Sequence, residues 1–371
     1  MSFKTPKVLA FALLLTILSA CAPSPSDTKP IAEDSSELSS SSDSGTILPS
    51  QVIDLSNWNI TIPLDLDGNS KADTINNPKI LSYFHPDFFY VNENREVVFT
   101  SPNKAITTPN SSNTRSELRQ IGSGSTKNVS SKNYAINFAL AAHKDASEFA
   151  AIGGRLEARV RVNHVSQNAG NFNKPPAYSA VVGQIHGAKE KDTSGNSGYG
   201  NEPLKIYFKK WPGHEMGSVF WNYERNLAKE HPDRTDISYP VWGNTWDIPG
   251  DPGEKGIALN EDFTYIVNVH ENIMHLTFMN DRLGEVSYQI NLSNAVDANG
   301  KLDEKDNPKG YSDDQLYFKA GIYNQCSTQD KEGIWYTACP GTGDWNQDKA
   351  NGNYAQSTFS KLELGSSEAQ N

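Results

Sequence analysis

Cysteine is scarce in this chain, with three residues in 371, at positions 21, 326 and 339. Without clustered histidines, that count excludes a cysteine-built zinc module or a disulfide-dense small fold. Positive charge is short as well. Lys and Arg total 33 against 44 Asp and Glu, a formal net charge of −11. General neutralisation of phosphates needs the opposite balance, so no nucleic-acid partner is expected. Long apolar runs are missing beyond the N-terminus, which excludes a polytopic helical membrane protein. The strong amphipathic helical period that βαβ units need is missing too. What the chain does have is aromatic surface: 7 Trp, 15 Tyr and 15 Phe can cover a large core, against wholesale disorder. Among 27 Gly and 20 Pro, the short apolar runs favour one large β domain.

The N-terminus reads as an address. Lys4 and Lys7 precede an apolar run from Val8 to Leu18, and Leu18-Ser19-Ala20-Cys21 resembles a bacterial lipoprotein signal over residues 1–21. The resemblance implies a lipidated Cys21 at the mature N-terminus and an exported protein. Ala22, in place of an acidic residue, points to the outer membrane of a Gram-negative bacterium, with the membrane touched through the anchor alone. An ordinary secretory signal is the alternative. Residues 22–49 are rich in Ser and Pro and nearly free of aromatics, so they cannot offset their ordering entropy and are expected to form a tether. A single domain over 50–366 and a tail over 367–371 complete the division. Three lysines and five carboxylates precede residue 50, so the acidic excess sits in the domain. Such a domain binds an anion only where its cations are gathered locally. In an exported protein, Cys326 and Cys339 are expected to form a disulfide, worth roughly 3 kcal/mol in the chain-entropy model.

From residue 50 on, period-2 segments separated by turn residues dominate. The pattern predicts strands over Trp58–Pro63, Glu96–Ser101, Arg115–Gln120, Ala135–Ala141, Gly154–Val162, Tyr178–His186, Leu204–Lys209, Gly217–Tyr223, Phe263–His270, Ile273–Met279, Gly284–Ile290, Tyr317–Gln325 and Ser357–Leu364. This is the signature of an all-β antiparallel sandwich, a jelly roll if connections cross between layers. The polar, Gly/Pro-rich stretches 187–203, 224–258 and 326–353 read as long loops, the usual carriers of function on β scaffolds.

Three strands carry unusual polar alternation. Arg115, Glu117 and Arg119 share one face of their strand, two guanidiniums about one carboxylate. A solvent-exposed ion-pair ladder fits the same pattern. Gln184 and His186 share a face while Ile185 points the other way; the amide can bind a carboxylate and the imidazole can act as a base near neutral pH, although a polar strand end fits equally. Tyr317, Lys319, Gly321, Tyr323 and Gln325 share the third face, above a layer of Phe318, Ala320 and Ile322. Two phenols and an ammonium on one face, with a glycine clearing space between them, suit a binding surface better than a plain outer face.

Arg115–Arg119 (RSELR), Gln184–His186 (QIH) and Tyr317–Gln325 (YFKAGIYNQ) together resemble the three signature strands of polysaccharide lyase family 7, the alginate lyases, and occur in the family's order. Trp58–Pro63 and Phe359–Leu364 resemble its first and last strands, so the likeness covers roughly residues 50–365. It implies a β-jelly roll with a concave groove, alginate as the anionic substrate, and β-elimination that leaves a 4,5-unsaturated uronate. Removal of the C5 proton loads charge onto the C6 carboxylate, so a site must first neutralise that carboxylate. Arg115 and Gln184 match the neutralising positions, His186 the base or its charge-stabilising partner, and Tyr323 the acid to the leaving oxygen. For mannuronate the tyrosine serves as base as well. Glu117, Arg119, Tyr317, Lys319 and Gln325 would line the groove. Lys205, Tyr207 and Lys209 alternate on another strand and would extend the cationic surface, or form an ordinary exposed strand. Ile185 in the Gln-Ile-His motif leans to guluronate-containing blocks. Departures from the family lie in loop size, which bears on substrate length.

Catalysis of this kind requires no cofactor and no metal. Asp65, Asp67, Asn69 and Asp73 offer hard oxygen ligands in one turn but lack the EF-hand spacing and its terminal Glu, so a plain surface turn is favoured over structural calcium. A jelly-roll glycoside hydrolase would need two carboxylates about the scissile bond, and the groove set offers only Glu117. A glycan-binding lipoprotein would need the cations and aromatics without His186 and Tyr323. A monomer is expected.

Overall fold

The computed structural model describes residues 45–122, 134–171, 173, 174, 176, 178–188, 198–246, 250–330 and 335–370. Cys21, the signal and most of the tether lie outside them. Among the described residues, no helix is long and apolar enough to cross a membrane. Every described strand belongs to the unit Thr46–Asn371.

The strands in chain order are β1 (Trp58–Thr61), β2 (Thr74–Ile75), β3 (Phe89–Val91), β4 (Val97–Pro102), β5 (Asn113–Gln120), β6 (Phe138–Ala139), β7 (Ala151–Ile152), β8 (Gly154–His164) and β9 (Ser179–Gly187). There follow β10 (Leu204–Lys209), β11 (Ser218–Glu224), β12 (Asp236–Trp242), β13 (Phe263–His270), β14 (Ile273–Asn280), β15 (Gly284–Asn291), β16 (Leu316–Ser327) and β17 (Tyr354–Gly365), with a short helix, α1 (Trp345–Ala350). One sheet runs β12-β11-β10-β9-β16-β5-β1-β2, with β6 and β7 off its path. The other runs β15-β14-β13-β8-β17-β4-β3. Every pairing between these strands is antiparallel except the short β6–β7 contact. Two such sheets with connections crossing between them make the jelly-roll sandwich read from the sequence.

Alternation explains the layers. On β8, Leu156, Ala158 and Val160 are wholly buried while Arg155, Glu157, Arg159 and Arg161 face outward. Across the interior, Ile206, Phe208, Phe318, Ala320 and Ile322 of the first sheet join Tyr265, Val267, Val269 and Phe359 of the second in one core. Each large apolar side chain so buried contributes about 1.5–3 kcal/mol relative to exposure. The first sheet departs from simple alternation, because β9, β10, β11 and β16 are buried on both faces almost throughout.

Periodicity reads the long strands well and the short ones poorly. β13 matches its predicted span, whereas Ala135–Ala141 yields a 3-10 turn and only the two-residue β6. Two stretches read as loop contain elements: β12 falls within 224–258 and α1 within 326–353. Cys326 and Cys339 are disulfide-bonded, with Cα atoms 5.3 Å apart.

Candidate active site

The three polar strands are neighbours: β16 lies between β5 and β9. Register sets the rows. Arg119 stands opposite Lys319, which stands opposite Gln184, which stands opposite Lys205. Tyr323 pairs with Arg115, and Tyr317 with His186. Three segments far apart in sequence therefore place their polar faces on one continuous surface.

Glu117 is the hub of that surface. Its carboxylate accepts from Arg115 Nη1 at 3.1 Å and is also bound by Lys319 Nζ and Gln184 Nε2. Burial alone would push this carboxyl up, but Lys319 and Arg115 outweigh it and hold it below the usual range. Lys319 bears the reciprocal cost: burial pulls its ammonium down to about 8 despite Glu117. Gly321 lies directly opposite Glu117 with φ +135°. A Cβ there would stand 2.6 Å from the Ser116 carbonyl oxygen, so only glycine lets the two strands close around the hub.

Arg115 lies flat against Tyr323, its guanidinium carbon 3.9 Å from the ring centroid. Ser111 joins them: its Oγ accepts from Arg115 Nη2 at 3.0 Å and lies 3.3 Å from the Tyr323 hydroxyl. Arg115 Nε finds no acceptor among the described residues. At the other end of the row, Tyr317 stacks on His186 with centroids 5.3 Å apart and carries the Arg119 guanidinium at 3.9 Å. Arg119 is anchored by donating to Asn137 Oδ1 at 2.9 Å and to the Gln120 carbonyl at 2.6 Å. His186 Nε2 lies 3.1 Å from Glu202 Oε1, and Nδ1 lies 2.6 Å from the Gly187 carbonyl oxygen.

Several expectations need correction. Glu117 and Lys319 do not line an open groove; they are 2% and 7% exposed and bind each other. Gln184 is buried, and its amide serves Glu117. Gln325 is fully buried and donates to the Tyr323 carbonyl. Lys205, Tyr207 and Lys209 do face the groove side, but they form neither a free cationic surface nor an exposed strand. Lys205 is enclosed by Asp236 at 2.9 Å and Glu202 at 3.5 Å, and Lys209 packs on Trp211 and Trp246. Tyr207 lies beneath Trp246, at 4.8 Å between centroids. The partly open residues of the set are Arg115, Arg119, His186 and Tyr317, with Tyr323 at 9% beside them.

The sequence reading missed Ser111, Glu202 and Trp246. Trp246, 9% exposed, caps a second apolar cluster of Val181, Tyr207, Phe220 and Tyr323 on the groove side. Val181 reaches that side because β9 carries a bulge: pairing with β10 passes from Gly183–Ile206 to Val181–Tyr207, leaving Val182 to the core. No signal in the sequence ties a loop tryptophan or a loop glutamate to these strands.

The Asp65, Asp67 and Asp73 carboxylates come within 4.8 Å of one another. Asp65 already accepts from the backbone N–H groups of Asn69 and Ser70 at 2.9 and 2.8 Å, as a self-bonded turn does.

An Arg-anchored, water-poor cleft with a phenol and an imidazole can hold a carboxylate and move protons beside it. Comparison with known proteins agrees. A family model described as alginate lyase matches residues 53–366. This chain belongs to the alginate lyase family. A curated alginate lyase from Klebsiella pneumoniae is 30% identical over 293 residues, covering 76% of this chain and 85% of that protein. Among solved structures, an exolytic PL7 alginate lyase from Zobellia galactanivorans is 32% identical with a TM-score of 0.67, covering 87% of this chain and 99% of that one. The crystal structure of an alginate lyase from Klebsiella pneumoniae is 25% identical with a TM-score of 0.65, covering 87% and 100%. The chain is thus an alginate lyase, a polysaccharide lyase of the jelly-roll kind.

Proposed function

We propose that this lyase cleaves the 1,4 bonds of alginate by β-elimination with Arg115, Gln184, His186 and Tyr323 as its working groups. The observation that carries the reading is the adjacency of β5, β16 and β9, which stacks Arg115 on Tyr323 at 3.9 Å and ties both to Ser111. Arg115 meets the C6 carboxylate whose charge grows as the C5 proton leaves, and the buried Gln184 amide holds Glu117, the carboxylate that fixes Arg115. At guluronate that proton passes to His186. The C5–H electron pair forms the C4–C5 double bond, the C4–O bond breaks, and the departing oxygen takes the Tyr323 proton. At mannuronate Tyr323 serves at both ends. Arg119 and Tyr317, partly exposed beside His186, hold a neighbouring uronate. The chemistry needs no cofactor.

Guluronate-containing blocks are the preferred substrate in this reading, on the Gln184-Ile185-His186 motif. Ile185 is wholly buried in the core, so its influence passes through the packing of β9. We also propose exolytic release. Support comes from Trp246, a loop residue that stands over Tyr207 of β10 and Phe220 of β11 and keeps both at most 1% exposed. The Zobellia relative is itself exolytic. The Leu18–Cys21 motif supports an exported, outer-membrane lipid anchor, and a groove built from one chain supports a monomer.

The test is incubation with polyguluronate and polymannuronate, following near-UV absorbance of the unsaturated end and product length over time. New reducing ends without absorbance would mean hydrolysis, and binding alone would mean a glycan-binding module. Large oligomers early in the time course would refute exolytic release.

A further inference from the structure

His186 is engaged at both ring nitrogens. Nδ1 lies 2.6 Å from the Gly187 carbonyl oxygen, which can only accept. Nε2 lies 3.1 Å from Glu202 Oε1. A neutral imidazole donates from one nitrogen only, so two acceptors are satisfied together by the doubly protonated ring. A ring in that state has no lone pair for a C5 proton.

The surroundings keep Glu202 ionised. It stands just before β10, 3.5 Å from Lys205 Nζ, and its backbone N–H donates to Glu224 at 2.9 Å. Burial pushes its carboxyl up, but Lys205 and His186 outweigh that and hold it well below the ordinary range. Other charged or titratable groups packed around the imidazole come from several elements. Tyr317 stacks on it from β16, and Arg119 of β5 lies over Tyr317. Behind Glu202 stand Lys205 of β10, Glu224 of β11 paired with Arg234, and Asp236 of β12 paired with Lys205. The Glu117–Lys319 pair occupies the next rows of β5 and β16. Among these described residues, Glu202 is the anion in contact with the ring.

We propose that Glu202 is a positioning residue that pairs with His186, and that this pair sets the acidity below which guluronate is not cleaved. Mannuronate, cleaved through Tyr323 at both ends, escapes that control. The inference rests on the proposed role of His186 as the guluronate base.

The experiment measures full pH–rate profiles of the full chain and of Glu202→Gln and Glu202→Asp, each on polyguluronate and on polymannuronate blocks, with folding checked by circular dichroism. Glutamine keeps the shape and removes the charge. The acid limb of polyguluronate cleavage should move down by about one pH unit in Glu202→Gln, an approximately tenfold gain relative to the parent at a fixed pH on that limb. The polymannuronate limb should stay in place, and Glu202→Asp, which keeps the charge but holds it farther from the ring, should move the polyguluronate limb in the same direction by less. A purely structural Glu202 would lower rates at every pH without moving the limb. That result, or equal shifts on both substrates, would overturn the inference. If Glu202→Gln does not fold, the Glu202→Asp profile decides alone: its longer reach to the ring should displace the polyguluronate limb only, and displacement of both limbs or neither would overturn the inference. His186→Ala separates the two levels. Normal polyguluronate cleavage in that variant would overturn the base role and the inference with it. Lost cleavage beside an unmoved Glu202→Gln limb would overturn the inference alone.

Discussion

Strands β5 and β8 carry the same polar triplet. β5 presents Arg115, Glu117 and Arg119 on one face, and β8 presents Arg155, Glu157 and Arg159. Their chemistry diverges because their surroundings do. On β8 the outer face meets solvent: Arg155 donates to Glu157 at 2.8 Å, Arg159 reaches Asp262 at 3.3 Å, and the exposures are 19%, 15% and 40%. On β5 the same pattern lies under neighbouring strands and covering loops. Glu117 is 2% exposed and gathers Arg115, Lys319 and Gln184. An ion pair in water is worth little, whereas charges withdrawn from water interact strongly and leave a large penalty when one is removed. The solvent ladder that the triplet equally suggested for β5 is what β8 is.

The comparison can be broken in four ways. Tyr323 has no counterpart on the β8 sheet. Tyr323→Phe should lower turnover by about 10³-fold or more while leaving alginate binding largely intact, read by near-UV absorbance and by a binding titration. Retained activity would remove its assignment as acid. Arg115→Ala should reduce kcat by about 10²–10³-fold, since in the proposed mechanism it meets charge that grows in the transition state, whereas Arg155→Ala should leave kcat within about twofold. Equal effects would erase the distinction between the strands.

Stability provides the third contrast. Glu117→Gln leaves Lys319 and Arg115 buried without their anion and should cost about 3–5 kcal/mol in denaturant unfolding, while Glu157→Gln should cost about 1 kcal/mol or less. Similar costs would mean that the hub is not desolvated. The smallest effect concerns pH. Lys319, pulled down to about 8, carries its charge below that pH and loses it as pH rises through it. Activity should therefore fall on an alkaline limb near pH 8, and Lys319→Arg, which stays charged, should move that limb upward. Lys361, whose ammonium is held up first by its bond to Glu157, should show no such limb when changed to Arg. An unmoved limb in Lys319→Arg would assign it to another group.

Much of the fold was legible because period-2 alternation is a local property. Phe263–His270 is read straight from its residues. The two-residue pieces β2, β6 and β7 are not, since two residues show no period. β12 was hidden by Pro240 and by the polar stretch around it. Arg115, Gln184, His186 and Tyr323 were singled out because three motifs occur in a fixed order, and strand order brings them onto adjacent strands. Ser111, Glu202 and Trp246 were not, because each lies outside the periodic strands and its contact with Tyr323, His186 or Tyr207 depends on how the chain folds back. The Val182 bulge is another such case: alternation alone sends Val181 to the core, and it faces Tyr323 instead.

By itself the sequence determined the strand faces away from the β9 bulge, the chemical inventory of the three motifs and the pairing of its two domain cysteines, because alternation and residue type need no partner to be read. Tertiary structure decided which of two identical triplets became a buried hub, which lysines were sequestered by carboxylates, and that Glu202 meets His186. Those outcomes depend on strand order, register and loop coverage, and electrostatic strength follows the water excluded by neighbours more than the charges the chain carries.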